Sequence, residues 1–397
     1  MSRWFVLAVI TLAHAFGALS VLSVAPLSPF LLDALELSRA QVGLFLPAVY
    51  LGGVLMSLPA GWLTDRLGVR ATLGGGLLLI GVLVMAAAWT RGLPALLGAL
   101  VVAGFGFSVL NPSTGKAVVE WFPPRGRGLA MGIKQTGLTL GGLTGALTLP
   151  PLALAFGWRH ALATAGALSV VAAVLVLAVY RRPAAPATAR TSSWPRLAEL
   201  SVFMRRPAVI IVFVSGLAMS TAQSSVLAYL ALYTKETFEV SAVAAGQVLA
   251  LAQLGGTVAR LAWGAASDRF FGGRRRPGVV ASALLGAVAY VLFARGTELP
   301  AASLVPLAIV AGAGAFGWVG LYFALVAEIG GARYAGLLTG VAVAFAWSGV
   351  LVGPPLFGLL LGSTGSYTWP WLSLAAIATL VAITLPQLKP LVQREPA

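Results

Sequence analysis

The sequence predicts an all-α membrane protein whose twelve transmembrane helices form two pseudo-symmetric six-helix bundles. Of the 397 residues, 59% are hydrophobic and only 9% are charged, a ratio that cannot be folded into one soluble core with a wetted surface. Apolar runs of about 20 residues, long enough to cross roughly 30 Å of hydrocarbon as an α-helix, recur along the whole chain. Motifs of the first half of the chain also return in the second half.

The hydropathy criterion gives twelve spans, which are numbered here in chain order. They are expected near residues 4–25, 41–62, 72–90, 94–118, 128–152, 158–180, 208–233, 243–265, 278–295, 303–325, 334–360 and 369–388. The segment after span 6 has the Pro, Ala, Ser and Arg content of a cytoplasmic linker. The expected organisation is a first bundle at 1–180, a linker at 181–207, a second bundle at 208–388 and a tail at 389–397.

The placement of the basic residues predicts the orientation of the chain. In a soluble protein the net charge of +15 would suggest nucleic acid as a partner. Here most basic residues fall on one side of the twelve-span arrangement. The opposite side has only Arg39, Arg91, Arg159, Lys235 and Arg295. By the positive-inside rule we expect both termini in the cytoplasm and the chain in the cytoplasmic membrane. The partner of the basic loops is then the lipid bilayer and not nucleic acid.

The residue types that are missing exclude several classes of chemistry. The sequence contains no cysteine, which excludes disulfides, thiolate metal sites and cysteine nucleophiles. Its two histidines lie far apart in sequence, and no acid lies deep within a span, so a catalytic or metal-binding set cannot be assembled convincingly. We therefore expect no enzyme activity, no metal and no cofactor.

Two internal alignments show that the sequence of the first half of the chain is repeated in the second half. LGGVLMSLPAGWLTDR, which begins at Leu51, aligns with LGGTVARLAWGAASDR, which begins at Leu254, at a constant offset of 203 residues. VAGFGF at 102 aligns with VAGAGA at 310, and the same offset of 208 places Glu120 on Glu328. The chain therefore consists of two parallel six-helix halves.

The loop after span 2 identifies a family resemblance. GWLTDRLGVR, at 61–70, closely matches the loop signature of the major facilitator superfamily, and GAASDRFFGGRRR, at 264–276, is a looser copy. This resemblance covers essentially the full chain. It implies alternating access by two bundles that rock about a central cavity, with the substrate bound near mid-membrane. It also implies that charge clusters at the cytoplasmic ends of the spans latch the carrier when it opens outward. The residues assigned to this gating role are Asp65, Arg66, Arg70, Glu120, Arg125, Asp268, Arg269, Glu328 and Arg333.

Ionisable groups within spans are costly, so each one needs a reason. The full set is His14, Lys116, Glu120, Lys134, Arg260 and Glu328. Lys116 precedes Glu120 by four residues, and this helical spacing predicts a local ion pair. Arg260 and Lys134 lie deeper in the membrane than a residue at a span end. At the rise of an α-helix, they are about 12 Å and about 10 Å from the cytoplasmic loops, toward the middle of the membrane. Their repeat equivalents, Ser57 and Ala342, are uncharged, so the two-fold architecture does not require the two cations.

The two deep cations predict an anionic substrate. No carboxylate in the sequence lies at their depth, and two cations that face one desolvated cavity repel each other. A guanidinium offers a bidentate fork to a carboxylate, and an ammonium adds a point charge. The spacing R-x-x-x-G-x-x-S-D-R, from Arg260 to Arg269, resembles span 8 of the oxalate/formate antiporter and monocarboxylate transporter families, in which the equivalent arginine grips a substrate carboxylate. The antiporter carries its second cation in span 11, where this chain has none, so Lys134 takes that role from span 5.

The sequence thus predicts secondary active transport of a small organic anion, a mono- or dicarboxylate, by a monomer. The residues expected to bind it are Arg260, Lys134, Gln135, Asn111, Tyr229, Trp347 and His14. Exchange against a counter-anion and symport with a proton both remain open, because no deep carboxylate carries a proton and His14 is the one candidate mid-span histidine.

Other functions fit parts of the pattern. A porter for nitrate, nitrite or cyanate also suits two cations, although nitrate porters carry a further arginine in span 2, where this chain has Ser57. A proton-driven exporter of cationic drugs is disfavoured, because the cavity repels cations and lacks deep acids. A receptor or sensor built on a carrier fold is the alternative from another class.

Overall fold

A computed structural model describes residues 2–122, 127–181 and 203–388 of the chain. Its α-helices are labelled here in chain order. They are α1 Arg3–Leu22, α2 Val24–Ala34, α3 Arg39–Val42, α4 Phe45–Ala87, α5 Leu93–Ser108, α6 Leu110–Trp121, α7 Arg127–Phe156, α8 Trp158–Val179, α9 Pro207–Phe238, α10 Ala242–Arg269, α11 Arg276–Ala294, α12 Leu304–Phe316, α13 Val319–Thr364 and α14 Thr368–Thr384. Two short 3₁₀ helices, Gly296–Glu298 and Ala301–Ser303, precede α12.

Twelve helical segments of the described residues are long and apolar enough to cross a membrane, which confirms the predicted fold class. They are Arg3–Ala34, Arg39–Ser57, Arg66–Ala87, Leu93–Trp121, Ala130–Phe156, Trp158–Val179, Pro207–Phe238, Ala242–Arg269, Arg276–Ala294, Leu304–Gly330, Leu338–Thr364 and Thr368–Gln387. Span 1 extends beyond its expected end at residue 25, because Pro26 lies in the first turn of α2, where its missing N–H donor is not needed.

Several helical runs are interrupted where the sequence pattern is continuous. α4 contains spans 2 and 3, which Gly68 separates with a φ of 80°, a conformation that glycine adopts without steric cost. Span 4 breaks at Val109, between α5 and α6. Span 10 breaks after Phe316, between α12 and α13. The repeat offset of 208 places Val109 on Gly317, so the two interruptions are equivalent in the two halves of the sequence.

Contacts within the chain define two compact units. The first comprises the described residues of Met1–Arg190 together with Ala228–Ala250. The second comprises those of Thr191–Leu227 together with Leu251–Ala397. The end of span 7 and the start of span 8 thus belong to the first unit by contact, although the repeat assigns both spans to the second half. The division of the chain by repeat, at 1–180 and 208–388, remains a prediction.

Each unit contains a helix crossing that is closed by a glycine at an equivalent repeat position. In the first unit, a Cβ added to Gly104 would collide with the carbonyl oxygen of Val49. In the second unit, Gly312 meets the carbonyl oxygen of Ala252 in the same way. Spans 2 and 4, and likewise spans 8 and 10, therefore approach at backbone contact, as small residues at a membrane helix interface allow.

The Gly104 crossing yields a stability prediction. We expect Gly104→Ala to lower the unfolding free energy by about 1–3 kcal/mol, because overpacking forces the two backbones apart. The matched control is Gly98→Ala in the same span, since a Cβ added to Gly98 meets no atom within 4 Å. Thermal unfolding of the purified protein in detergent measures both effects. Equal melting temperatures for the two variants would contradict the close crossing.

Candidate functional site

Lys134 is a buried cation held by neutral oxygens. It lies on α7 in the first unit, and its exposed fraction is 6%. Its Nζ atom donates to Oδ1 of Asn111 at 3.0 Å and to Oγ1 of Thr114 at 3.3 Å, both on α6. An ammonium carries three donor hydrogens, and no described carboxylate lies within ion-pair distance of this one. The burial of an ammonium without a counter-charge is costly, so this arrangement favours an anion as an additional partner.

His14 lies on α1 beside the same part of α7. Gly137 follows Lys134 by three residues, and a Cβ added to it would lie 3.1 Å from the Cβ of His14. The imidazole is fully buried. Neither ring nitrogen makes a hydrogen bond of regular geometry with a described residue, and the backbone and ammonium of Lys134 lie near the ring. The substrate role expected for His14 remains a prediction.

Arg260 lies on α10 in the second unit and is partly buried. Its Nε atom donates to the carbonyl oxygen of Phe316 at 2.8 Å. Phe316 is the last residue of α12, and the final four carbonyl groups of a helix lack intrahelical partners. A guanidinium near the C-terminus of a helix also interacts favourably with its dipole. The break in span 10 therefore provides the acceptor that anchors Arg260.

The two deep cations are attached to equivalent interruptions of the repeated fold. Lys134 binds Asn111 and Thr114, which lie in the first turns of α6, just after the break in span 4. Arg260 binds the last residue before the break in span 10. Val109 and Gly317 keep right-handed helical φ and ψ, so the regular hydrogen bonding of each helix is interrupted without a sharp change of backbone conformation. Interrupted helices recur at the substrate and ion sites of transporters.

The other expected substrate ligands lie in different surroundings. Gln135 and Trp347 are partly buried, and Asn111 is exposed apart from its bond to Lys134. Tyr229 is fully buried, and its hydroxyl donates to the carbonyl oxygen of Arg39 at 2.8 Å. This contact ties Tyr229 to the start of span 2. A substrate role for Gln135, Trp347 and Tyr229 remains a prediction.

Three of the gating residues expected in the first unit, Arg66, Arg70 and Glu120, border a basic cavity of about 510 Å³. Tyr180 and Arg181 also line this cavity. Arg70 Nε donates to the carbonyl oxygen of Leu177 at 2.6 Å. Glu120 accepts a hydrogen bond from the Tyr180 hydroxyl at 3.0 Å.

The other side chains expected in this region have separate outcomes. Arg66 lies over the ring of Trp62, 5.1 Å from its centroid. Lys116, for which helical spacing predicts an ion pair with Glu120, donates instead from Nζ to the carbonyl oxygen of Thr64 at 3.0 Å. Arg125 and the side chain of Asp65 lie outside the described residues.

Two of the gating residues expected in the second unit, Asp268 and Glu328, converge on Arg275. Its Nη1 atom lies 2.5 Å from Oδ1 of Asp268, and its Nε atom lies 2.8 Å from Oε1 of Glu328. Hydrogen bonds to Glu328 and then to Asp268 raise the pKa of Arg275, so the bridging guanidinium stays charged. Arg269 lies over the ring of Phe270, 5.9 Å from its centroid. The side chain of Arg333 lies outside the described part of the chain.

Sequence reasoning missed the neutral partners of the deep cations and the bridging arginine. Thr114 follows Asn111 by three residues, a spacing that places both on one helix face, so this ligand could have been found. Arg275 is the middle residue of the Arg274–Arg276 run, and nothing in that run indicates which member bridges the acids. The Phe316 carbonyl is a backbone group, and its exposure depends on a helix break that the apolar pattern does not reveal.

Comparisons with known proteins agree with this architecture. The family model of the Major Facilitator Superfamily matches residues 9–354. An uncharacterized MFS-type transporter of Mycobacterium tuberculosis is 28% identical over 97% of this chain and 84% of its own length. A hexuronate transporter of Bacillus subtilis is 24% identical over 92% of this chain and 89% of its own length. The membrane sensor protein UhpC of Salmonella typhimurium is 26% identical over 96% and 89% of the two chains.

Solved structures share the fold. The crystal structure of a D-xylose–proton symporter has a TM-score of 0.78 at 17% identity and covers 98% of each chain. A bacterial homologue of the human lysosomal transporter Spinster, in an inward-facing and occupied conformation, also has a TM-score of 0.78 at 17% identity, over 96% and 95% of the two chains. The chain belongs to the Major Facilitator Superfamily. It is a multi-pass membrane protein of a family of secondary transporters.

Proposed function

We propose that this protein transports a small organic anion across the cytoplasmic membrane, with Lys134 and Arg260 as ligands of the anion. The observation that carries the proposal is the burial of Lys134 against two neutral oxygens. A substrate carboxylate would supply the missing negative charge and accept the third ammonium hydrogen. Arg260 donates from Nε to the carbonyl oxygen of Phe316, and a planar guanidinium is the side chain best matched to a planar carboxylate.

Sugar acids are the first class of substrate to test. The hexuronate transporter of Bacillus subtilis matches over most of both chains, and a hexuronate carries one carboxylate and several hydroxyl groups. The amide of Asn111, which is exposed, and that of Gln135 offer donors and acceptors for such hydroxyls. Simpler mono- and dicarboxylates follow in the order of testing. Nitrate, nitrite and cyanate remain the alternative, because they satisfy a cation equally well.

A ligand panel followed by flux measurement tests this function. Ligands that bind the folded state raise the apparent melting temperature by mass action, so the purified protein is screened against hexuronates, small carboxylates, nitrate and cyanate. The ligand that stabilises it is then supplied in labelled form to proteoliposomes. We expect a hexuronate or another carboxylate to raise the melting temperature and to accumulate. Stabilisation by nitrate or cyanate alone would assign the protein to inorganic anions.

Coupling to a proton is proposed to bypass His14. An imidazolium at His14 would be a second positive charge, fully buried beside the Lys134 ammonium, and such a charge is unfavourable there. We therefore expect the pH profile of uptake by His14→Gln to match that of the unchanged protein, with any coupled proton travelling on the substrate. A profile that becomes flat in this variant would make His14 the proton carrier. A pH-independent profile in both proteins would favour exchange of one anion for another.

Sensing without transport is the second candidate function, because one relative of similar length is a membrane sensor protein. A sensor would bind the anion through the same residues. The two functions differ in flux: a transporter moves labelled ligand into proteoliposomes, whereas a sensor shows stabilisation by the ligand without accumulation. We propose transport by a monomer with both termini in the cytoplasm.

A further inference from the structure

Two loops that are 200 residues apart in sequence are joined by reciprocal ion pairs in the first unit. Lys235 Nζ lies 2.8 Å from Oδ2 of Asp33, and Arg39 Nε lies 2.8 Å from Oε2 of Glu236. Asp33 and Arg39 flank the connection between spans 1 and 2, whereas Lys235 and Glu236 end span 7. These two loops precede spans 2 and 8. Arg66 and Arg269 lie at or just beyond the other ends of the same two spans.

The ion pairs follow the internal repeat. The offset of 203 places Asp33 on Glu236, and each of these acids is paired with a cation of the other loop. The same offset places Glu36 on Glu239, and these two are the only described residues other than glycine with a positive φ, at 50° and 52°. Left-handed backbone at glutamate is sterically unfavourable and persists where the surroundings fix it. Both loops therefore end their preceding helix in the same strained turn and present an acid just before it.

Two further contacts close this end of the first unit. The Tyr229 hydroxyl donates to the carbonyl oxygen of Arg39 at 2.8 Å, one to two turns before Glu236 on the same span. At the start of span 8, a Cβ added to Gly246 would lie 2.7 Å from the carbonyl oxygen of Ala146 on span 5. These contacts explain why residues of spans 7 and 8 group with the first unit.

We propose that Asp33, Arg39, Tyr229, Lys235 and Glu236 form an outer latch, a gate that holds the end of the carrier opposite the arginine-rich loops closed and separates when that end opens. The proposal rests on transport by alternating access and not on the identity of the anion. The side chains of the four charged residues are between 21% and 64% exposed, and an exposed ion pair changes an equilibrium constant by only about 1- to 5-fold. Two such pairs therefore bias the gate while leaving it reversible.

Thiol labelling measures the opening of the outer latch. The chain has no cysteine, so Ser225→Cys introduces a single thiol. Ser225 is fully buried, one helical turn before Tyr229 on the same face of span 7. Its labelling rate by a water-soluble maleimide follows the open fraction, even when that fraction is small. Neutralising both acids with Asp33→Asn and Glu236→Gln is expected to raise this rate about 3- to 10-fold.

Two controls separate opening from unfolding or from a general effect of charge. Glu298→Gln removes the exposed Arg295–Glu298 pair, which lies within one loop, and is expected to leave the Ser225→Cys rate unchanged. Ser169→Cys places the single thiol at another fully buried position, where the serine bonds the carbonyl oxygen of Leu77. Its labelling rate is expected to stay constant when the latch acids are neutralised.

Charge exchange supplies the decisive comparison. Asp33→Lys alone is expected to raise the labelling rate at residue 225, and the added change Lys235→Asp is expected to return it toward the starting value. An unchanged rate in the neutralised protein, an equal rise at residue 169, or a failure of the exchanged pair to restore closure would overturn the proposal. None of these measurements needs a substrate, so they stand even if no tested anion is transported.

Discussion

Replacing Lys134 with methionine is expected to reduce uptake of the transported anion by roughly 10- to 100-fold, since a hydrogen bond to a charged group contributes about 1.5–3 kcal/mol. The same change removes a buried ammonium whose hydrogen-bond partners, within the described part of the chain, are the neutral oxygens of Asn111 and Thr114. Replacement of a buried, uncompensated charge by an apolar chain of similar length is often neutral or stabilising. We therefore expect the melting temperature to stay equal or to rise while uptake falls.

Lys116→Met is the matched control for Lys134→Met. Lys116 is another lysine within the spans of the first unit, and its Nζ contacts the carbonyl oxygen of Thr64. Uptake is expected to change by less than about threefold in this variant, as for most substitutions away from a binding site. Proteoliposome uptake at several substrate concentrations measures both variants. Equal losses in the two would remove Lys134 from the substrate site.

Replacing Arg260 with alanine is expected to abolish detectable uptake, a loss of about 100-fold or more, because both the charge and the planar fork disappear. Arg260→Lys keeps the charge but loses the fork and the Nε donor to Phe316. We expect it to retain partial activity, reduced about 10-fold, with the loss appearing mainly in the apparent affinity for the anion.

Arg295→Ala is the control for the Arg260 variants. Arg295 lies in the second unit, its side chain is 62% exposed, and its Nε atom is 3.6 Å from Glu298. Uptake by Arg295→Ala is expected to equal that of the unchanged protein, and all three variants should elute as folded protein from size-exclusion chromatography in detergent. Normal transport kinetics in folded Arg260→Ala would contradict the proposal that Arg260 binds the anion.

The fold could be predicted from the sequence because its main signals are local or repeated. The apolar runs predict the twelve spans, and the repeat offsets of 203 and 208 residues predict the two halves. The equivalent collisions at Gly104 and Gly312 follow from the same alignment. Span ends were less predictable, because Pro26 is accommodated within a helix start rather than ending span 1.

The candidate site was predictable only where a residue type is costly in a membrane. Lys134 and Arg260 stand out in the sequence because a cation within a span needs a reason. Their partners do not, since Thr114 is an ordinary polar residue and the acceptor at Phe316 is a carbonyl group. The outer latch was missed because Asp33 and Lys235 read as loop residues, and their pairing depends on long-range packing.

The glycine crossings bear on how the two halves of this chain diverge after duplication. Gly52, Gly104, Gly255 and Gly312 each lie where even a methyl group would strike the backbone of the facing helix. A larger residue at any of these glycines would clash with the neighbouring helix, whichever substrate is transported. Packing makes no such demand for Lys134 and Arg260, since their repeat equivalents, Ala342 and Ser57, are uncharged. In a lineage that changes its substrate, we expect these four glycines to be retained after the substrate-binding residues have been replaced. They would then be the most persistent sign that the chain arose from a duplicated six-helix unit.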